Sequence, residues 1–361
     1  MNKAISTIGL LAVLLTLIIG LRFITGESAE RPPKRSYAQE QTAEKEAEND
    51  AKKSKPQPDE TQKIDFREIN RFARRASHTD GSNLKEMAQH LASVGNTDRE
   101  KARAIYVWLT KNIRYDDDAY NSEQSGAYKA KDVFRERTAV CEGFSNLFLA
   151  MGEEVGLEIK KVIGYSKGAS YVPGSRLEES DHAWNIIKID GAWRVFDATW
   201  GEGGGDFVTG QLVSKKEFND YWFNVDPYEA IFNHFPEDES LTFVEPAISL
   251  FDYEQLPYIR SAFFKLGFDG KEAFQIALED PDYDFPFCFD FKAKVKVINA
   301  PIHKYLEVGK TYSFQFESPN ANAMAAILTE TDWNSFKKEG NQFKLRYTVK
   351  KTGDLSIGIQ E

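Results

Sequence analysis

The chain has 361 residues, of which 41% are hydrophobic and 13% aromatic, with a formal net charge of −10. That is the balance of a folded globular protein too long for one ordinary core, so two folded units are expected. No long basic stripe runs through the folded part, which removes the electrostatic footprint that phosphate-backbone binding needs, and nucleic acid is not an expected partner.

Residues 4–21 form an uncharged, largely apolar run between Lys3 and Arg22, about as long as a bilayer span or a long signal core. Residues 1–26 are therefore expected to be a signal or transmembrane anchor, and the chain to be exported to the cell envelope, secreted or held by a single pass. The run could instead be a buried core helix, but the stretch after it leaves it no core to join. Thr25-Gly26 and Ser28-Ala29 are weak cleavage candidates, which favours an uncleaved anchor. No cysteine stands nearby, which excludes a lipid-modified segment. Residues 27–62 are rich in Glu, Lys, Ala, Gln and Pro with almost no large apolar side chain, the composition of a disordered linker.

Further on, residues 64–76 and 84–94 have helical spacing, with Ser82 or Asn83 as cap of the second. Thr97-Asp98-Arg99-Glu100 is a capping box that opens a third helix running to about Tyr115. Residues 116–130 are polar and read as a loop, and a short element begins at Asp132. Thr138 is a candidate cap for a helix that carries Cys141 in its first turn, with Phe144, Leu147, Phe148, Met151 and Val155 on one face and Gly156 at its stop. Residues 159–165 read as a strand. Residues 183–189 and 192–198 flank Asp190-Gly191 as a hairpin, and pairing Ile189 with Ala192 sets Trp184 opposite Asp197, with His182 on the same side. Gly203-Gly204-Gly205 reads as a loop, and residues 218–235 as an aromatic-rich segment packing on the first unit. Residues 292–298, 311–316, 323–328, 342–349 and 355–359 are β-type runs separated by turn residues, a pattern of a small sandwich.

The chain has two cysteines. Cys288 alternates within a strand-like run, residues 285–291, as a small buried hydrophobe. Cys141 opens a helix, where the N-terminal field favours the thiolate, the form of cysteine that attacks acyl groups; a histidinium partner is the second common aid. His182 can be that partner and Asp197 can hold its ring, with helix-start N–H groups facing a developing oxyanion. Each residue alone has a plainer use, as a packed cysteine, a strand-edge histidine or a turn aspartate. Their order on suitable elements is what points to a triad. The five histidines, at 78, 90, 182, 234 and 303, show no paired spacing, so neither a metal nor a cofactor is expected. His234 reads as a structural hydrogen-bonding residue, and Asp116-Asp117-Asp118 as a solvated turn that lacks the pattern of a calcium loop.

Val140-Cys141-Glu142-Gly143-Phe144-Ser145, Asp181-His182-Ala183-Trp184-Asn185 and Val195-Phe196-Asp197-Ala198-Thr199-Trp200-Gly201 together resemble the transglutaminase-like superfamily. Asp226-Pro227 and His234-Phe235-Pro236-Glu237-Asp238 add a likeness to its kyphoscoliosis-peptidase branch. The resemblance implies an α+β papain/transglutaminase-like catalytic domain over residues 63–240, followed by a β-rich, immunoglobulin-like sandwich over residues 241–361. It further implies a thioester intermediate on Cys141 and proteolysis, amide hydrolysis or transamidation of a protein or peptide substrate. Trp184, Trp200, Tyr120 and Gln124 are the candidate cleft residues, the last two also as oxyanion donors. A binding or scaffold module that keeps the fold without turnover is the alternative.

Overall fold

A computed structural model describes residues 18–26, 65–77, 81, 83–122, 126–290 and 294–360. It begins with a strand, β1 (Ile18–Gly26). Three helices follow, α1 (Arg67–Arg75), α2 (Leu84–Ala92) and α3 (Asp98–Asn112). Asn83 caps α2, and Thr97 with Glu100 closes the expected capping box on α3. Buried residues run continuously from Ala102 to Thr110, so α3 is surrounded on all sides and ends at Asn112 rather than near Tyr115. The next residues form β2 (Arg114–Tyr115), which pairs in parallel with β3 (Thr138–Ala139). The polar stretch expected as a loop holds α4 (Asp117–Asn121), capped by Asp116, and is followed by α5 (Ala130–Glu136).

Helix α6 (Cys141–Glu154) buries Phe144, Leu147, Phe148 and Met151. Those side chains meet the antiparallel sheet formed by β4 (Ile159–Ser166), β5 (His182–Ile189) and β6 (Ala192–Phe196). The hairpin register is the expected one, with Ile189 opposite Ala192 and left-handed Asp190 (φ 52°) and Gly191 (φ 85°) in its turn, as two-residue hairpin loops require. A short helix, α7 (Ala198–Glu202), leads to a second hairpin, β7 (Gly203–Val208) and β8 (Gln211–Lys216). The glycines expected in a loop are therefore strand residues. After α8 (Pro227–Ala230), β9 (His234–Pro236) joins the far side of β4, giving the order β6-β5-β4-β9.

Between this sheet and the C-terminal strands lie three short helices the sequence pattern did not reveal, α9 (Leu250–Gln255), α10 (Ser261–Lys265) and α11 (Gly270–Glu279). Lys167 pins the first of them: its buried Nζ donates to the carbonyls of Tyr253 at 2.7 Å and Leu256 at 2.6 Å. Burial pushes that amine down to about 7, against the opposing pull of Glu254.

The remaining strands are β10 (Phe287–Cys288), β11 (Lys296–Asn299), β12 (Tyr305–Glu307), β13 (Thr311–Glu317), β14 (Ala323–Thr329), β15 (Asp332–Ser335), β16 (Lys337–Glu339), β17 (Gln342–Thr348) and β18 (Gly353–Gln360). They make a four-stranded sheet, β11-β13-β17-β16, and a six-stranded sheet, β10-β1-β18-β14-β15 with β12 also on β1. Side chains from both sheets share one core, in which Phe23 of β1 meets Phe314 of β13 edge to face at 5.7 Å. The β-rich expectation thus takes the form of two facing sheets.

Strand β1 departs from the expected anchor. Its residues 18–26 lie between β18 on one side and β10 and β12 on the other, with Leu21 at 1% exposure and Phe23 fully buried. A strand paired along both edges inside a sheet can carry the same apolar composition as a membrane segment, so composition alone did not separate the two. No helix among the described residues is long and apolar enough to cross a membrane. The rest of the apolar run, residues 4–17, and the linker expected at 27–62 lie outside the described residues.

Candidate active site

Cys141 is the first residue of α6, and Val140, not Thr138, is its N-cap; Thr138 is held in β3 opposite Arg114. Val140 has no side-chain oxygen to cap with, and the N–H groups of Gly143 and Phe144 turn back to its carbonyl. The N–H groups of Cys141 and Glu142 are left without a partner among the described residues, so the positive end of the helix faces outward beside the sulfur. Gly143 permits this placement, since a Cβ there would stand 2.5 Å from the Ala127 carbonyl oxygen and 2.6 Å from Cβ of Ala139.

His182 begins β5, and Asn185 on the same strand donates from Nδ2 to the Ser145 carbonyl of α6 at 3.1 Å. That bond fixes helix and strand relative to each other. Nε2 of His182 donates to Oδ2 of Asp197 at 2.8 Å, which leaves Nδ1 as the ring nitrogen available to the nearby Cys141, whose influence helps raise the ring. Burial opposes a charge on His182, but the Asp197 carboxylate, its hydrogen bond and Cys141 outweigh burial and raise the ring to about 10. The surroundings therefore favour the imidazolium form of this ring.

Asp197 is completely buried at the end of the hairpin, where its own N–H reaches the Trp222 carbonyl and it caps α7. Its Oδ1 accepts the Trp200 N–H at 2.9 Å. Its Oδ2 accepts from His182 and also from Nε2 of His234 at 3.0 Å. Burial would raise this carboxyl, yet His182 and His234 together hold it well below the usual carboxylate range.

His234 is the participant sequence reasoning left out of the site. The hydrogen bond expected of it is made to Asp197, because β9 pairs with β4 and carries it, 37 residues away in sequence, onto the same oxygen. Burial first, and His182 in addition, lower its pKa against the pull of Asp197. It is therefore neutral, with the proton on Nε2, and its buried Nδ1 has no partner among the described residues. The rings of Trp184, Trp200 and Trp222 enclose it at 4.9, 4.4 and 5.0 Å.

His182, Asp197 and His234 present ligand atoms within 4.8 Å of one another, a set that spacing along the chain did not suggest. In the geometry seen here both Nε2 atoms are committed to Oδ2 as hydrogen bonds, and a metal ion would have to displace both protons. Of the acidic turn, Asp116 caps α4 and Asp117 accepts from the N–H and hydroxyl of Ser214.

Cys141 and His182 open into a cavity of about 650 Å³. Trp200 lines it, stacked on His182 at 5.1 Å, and Tyr120 lines it near Phe207. Trp184, expected in the cleft, is 3% exposed and packs behind His182 instead, because its side chain follows the buried face of β5. Gln124 lies outside the described residues. Tyr115 lines the cavity and feels the charge of Cys141, although burial is the main cause that raises its pKa. Tyr258, Arg260 and Lys265 bring the segment after β9 into the same wall, a contribution no local sequence signal announced. Cys288 is a free thiol in the other core, where burial raises its pKa beyond the ordinary thiol range.

Residues 85–198 match the model of the transglutaminase-like superfamily, a stretch that contains Cys141, His182 and Asp197. The kyphoscoliosis peptidase of Homo sapiens is 34% identical over 187 residues, which are 52% of this chain and 28% of that protein. Hillarin of Drosophila melanogaster is 30% identical over 223 residues, covering 57% of this chain and 26% of its own length. The match thus spans little more than a quarter of each relative. Among solved structures, red sea bream transglutaminase aligns at TM-score 0.27 and 10% identity, covering 81% of this chain and 53% of that one. Residues 85–198, with their mixed helices and antiparallel sheet, thus form a transglutaminase-like superfamily region within the chain.

Proposed function

We propose that this chain is a thiol-dependent acyl-transfer enzyme acting on protein or peptide amides, with Cys141 as nucleophile, His182 as proton carrier and Asp197 as the residue that orients and charges His182. The observation that carries this is the meeting of a helix-start cysteine with a protonated, carboxylate-bound histidine in one cavity. The word peptidase in the name of the human relative supports hydrolysis as the outcome.

The Cys141 thiolate attacks the amide carbonyl carbon, and its electron pair forms the C–S bond while the carbonyl oxygen takes the negative charge. The free N–H groups of Cys141 and Glu142, with the Tyr115 hydroxyl on the cavity wall, receive that oxygen. His182 gives its Nδ1 proton to the departing nitrogen as the C–N bond breaks, leaving a thioester and a neutral imidazole. Water or an amine then attacks the thioester, His182 takes the proton, and the thiolate leaves. Asp197 stays ionised throughout, because three donors hold the carboxylate charged against the cost of its burial. Residues 18–26 have a structural place in the C-terminal sheet, so an anchor role for them does not enter this proposal.

Alkylation by iodoacetamide tests it. Cys141 is expected to react faster than a free thiol at mildly acidic pH and to lose that advantage in His182→Ala, while Cys141→Ala abolishes turnover and leaves the melting temperature unchanged. A Cys141 that reacts no faster than a free thiol sinks the activated nucleophile and leaves the non-catalytic binding module as the function.

A further inference from the structure

The hairpin β7–β8 borders the catalytic cavity, and its two outer edges are treated differently. On β8, Leu212 exchanges both backbone bonds with the Asn121 side chain, N–H to Oδ1 at 2.8 Å and C=O from Nδ2 at 2.9 Å, and the Ser214 N–H reaches Asp117 at 3.1 Å. These backbone groups therefore point away from β7. In an antiparallel pair, directly opposed residues point their hydrogen-bonding groups the same way, both inward or both outward. Leu212 faces Phe207 and Ser214 faces Gly205, so the N–H and C=O of Gly205 and Phe207 also point outward, from the opposite edge, and Gly203 follows in the same alternation.

No hydrogen bond is made by these outward groups among the described residues. The edge is also bare. Gly203, Gly204 and Gly205 carry no side chains over it, and all three line the cavity with Cys141. Glycine at 203 is required by the hairpin itself, since a Cβ there would stand 2.0 Å from the Lys215 carbonyl oxygen, whereas a Cβ on Gly204 would meet open space.

We propose that the outer edge of β7 is the substrate-binding template: an extended peptide adds to Gly203, Gly205 and Phe207 as a third strand and is thereby laid along the cavity to Cys141. The occupant is an unfolded or locally extended polypeptide, bound through its backbone at alternate residues, because continuity with the catalytic cavity makes the edge part of the same cleft. Recognition through main-chain bonds tolerates varied side chains. The aromatic Phe207 and Tyr120 at the far end would favour an apolar residue there. This inference rests on the acyl-transfer function proposed above and adds the shape of its substrate.

The full chain is treated with tetrapeptidyl acyloxymethyl ketones of varied sequence, and alkylation of Cys141 is followed by intact mass and peptide mapping, with iodoacetamide as a probe that has no peptide backbone. The most reactive peptide is then remade with a methyl group on each backbone nitrogen in turn. Methylation at alternate positions is expected to lower the second-order inactivation rate at least about tenfold, from loss of one hydrogen bond and obstruction of the edge, with the intervening positions changed less than about twofold. Equal losses at every position, no loss at any, or no advantage of peptides over an acetyl probe would overturn the edge proposal while iodoacetamide remains fast. Slow iodoacetamide alkylation would instead overturn the activated thiol beneath it.

Discussion

Replacement of His234 by phenylalanine tests whether a second histidine sets the reactivity of the first. The ring lies among Trp184, Trp200 and Trp222, so phenylalanine keeps the aromatic volume and removes only the Nε2 donor. One of three hydrogen bonds to Asp197 is lost, a bond to a charged acceptor worth about 1.5–3 kcal/mol. Asp197 keeps the Trp200 N–H and His182, so the lower end applies, and about 1.5 kcal/mol is about a tenfold fall in kcat/KM. The carboxylate, with one donor fewer, is more basic and pulls harder on the proton it shares with His182. The alkaline limb that follows His182, at about 10 in the parent protein, should therefore move upward. His234→Gln places an amide nitrogen near the former Nε2 and should restore most of the rate and the position of the limb. The assay is the pH dependence of Cys141 alkylation by the best peptide probe, with melting temperatures recorded in parallel. A His234→Phe protein whose rate stays within twofold of the parent, with an unmoved alkaline limb, would refute the role assigned to this hydrogen bond.

Glu229 is partly buried beside α11, and burial raises its carboxyl to about 7 even though the Tyr221 hydroxyl favours the charged form. An acid raised in the folded state costs stability above its ordinary value of 4.5; the penalty is absent below that pH, grows as pH rises to about 7 and is constant beyond. Glu229→Gln should accordingly gain stability over the parent between these limits in urea titrations, and an advantage that is the same at pH 4 and pH 8 would contradict the burial argument. Arg103 is 2% exposed, bonded to Asn70 at 2.7 Å, paired with Asp220 and stacked over Phe223 at 4.7 Å. Asp220 is largely exposed, so it can return to water when the pair is broken. Arg103→Ala is then expected to cost about 2–3 kcal/mol, mostly from packing and the orphaned Asn70 acceptor. A loss below about 0.5 kcal/mol in denaturant titrations would show that the arginine is dispensable to the core.

Local chemistry alone determined a large part of this protein. The Thr97 to Glu100 capping box, the apolar face from Phe144 to Met151 and the Asp190-Gly191 turn each state their structure through neighbours in sequence, and the hairpin register followed from that turn. Cys141 at a helix start and His182 beside Asp197 were legible for the same reason: both placements depend on periods of 3.6 and 2 within single elements or one hairpin. What those periods do not encode is which distant surfaces meet. The pairing of β9 with β4 delivers His234 to Asp197, and the burial that keeps it neutral comes from aromatic rings brought by three other segments. Val140 replaces Thr138 as the cap because β2 claims Thr138 as a partner, a tertiary demand that overrides local capping preference. The glycines at 203 to 205 carry the composition of a loop, and only the hairpin partner β8, braced by α4, turns them into a strand with one open edge. Strand β1 shows the same limit most clearly. Its apolar residues satisfy a bilayer and a sheet interior equally well, since both exclude water, and it is the partners β18, β10 and β12, more than 250 residues away in sequence, that settle where residues 18–26 lie.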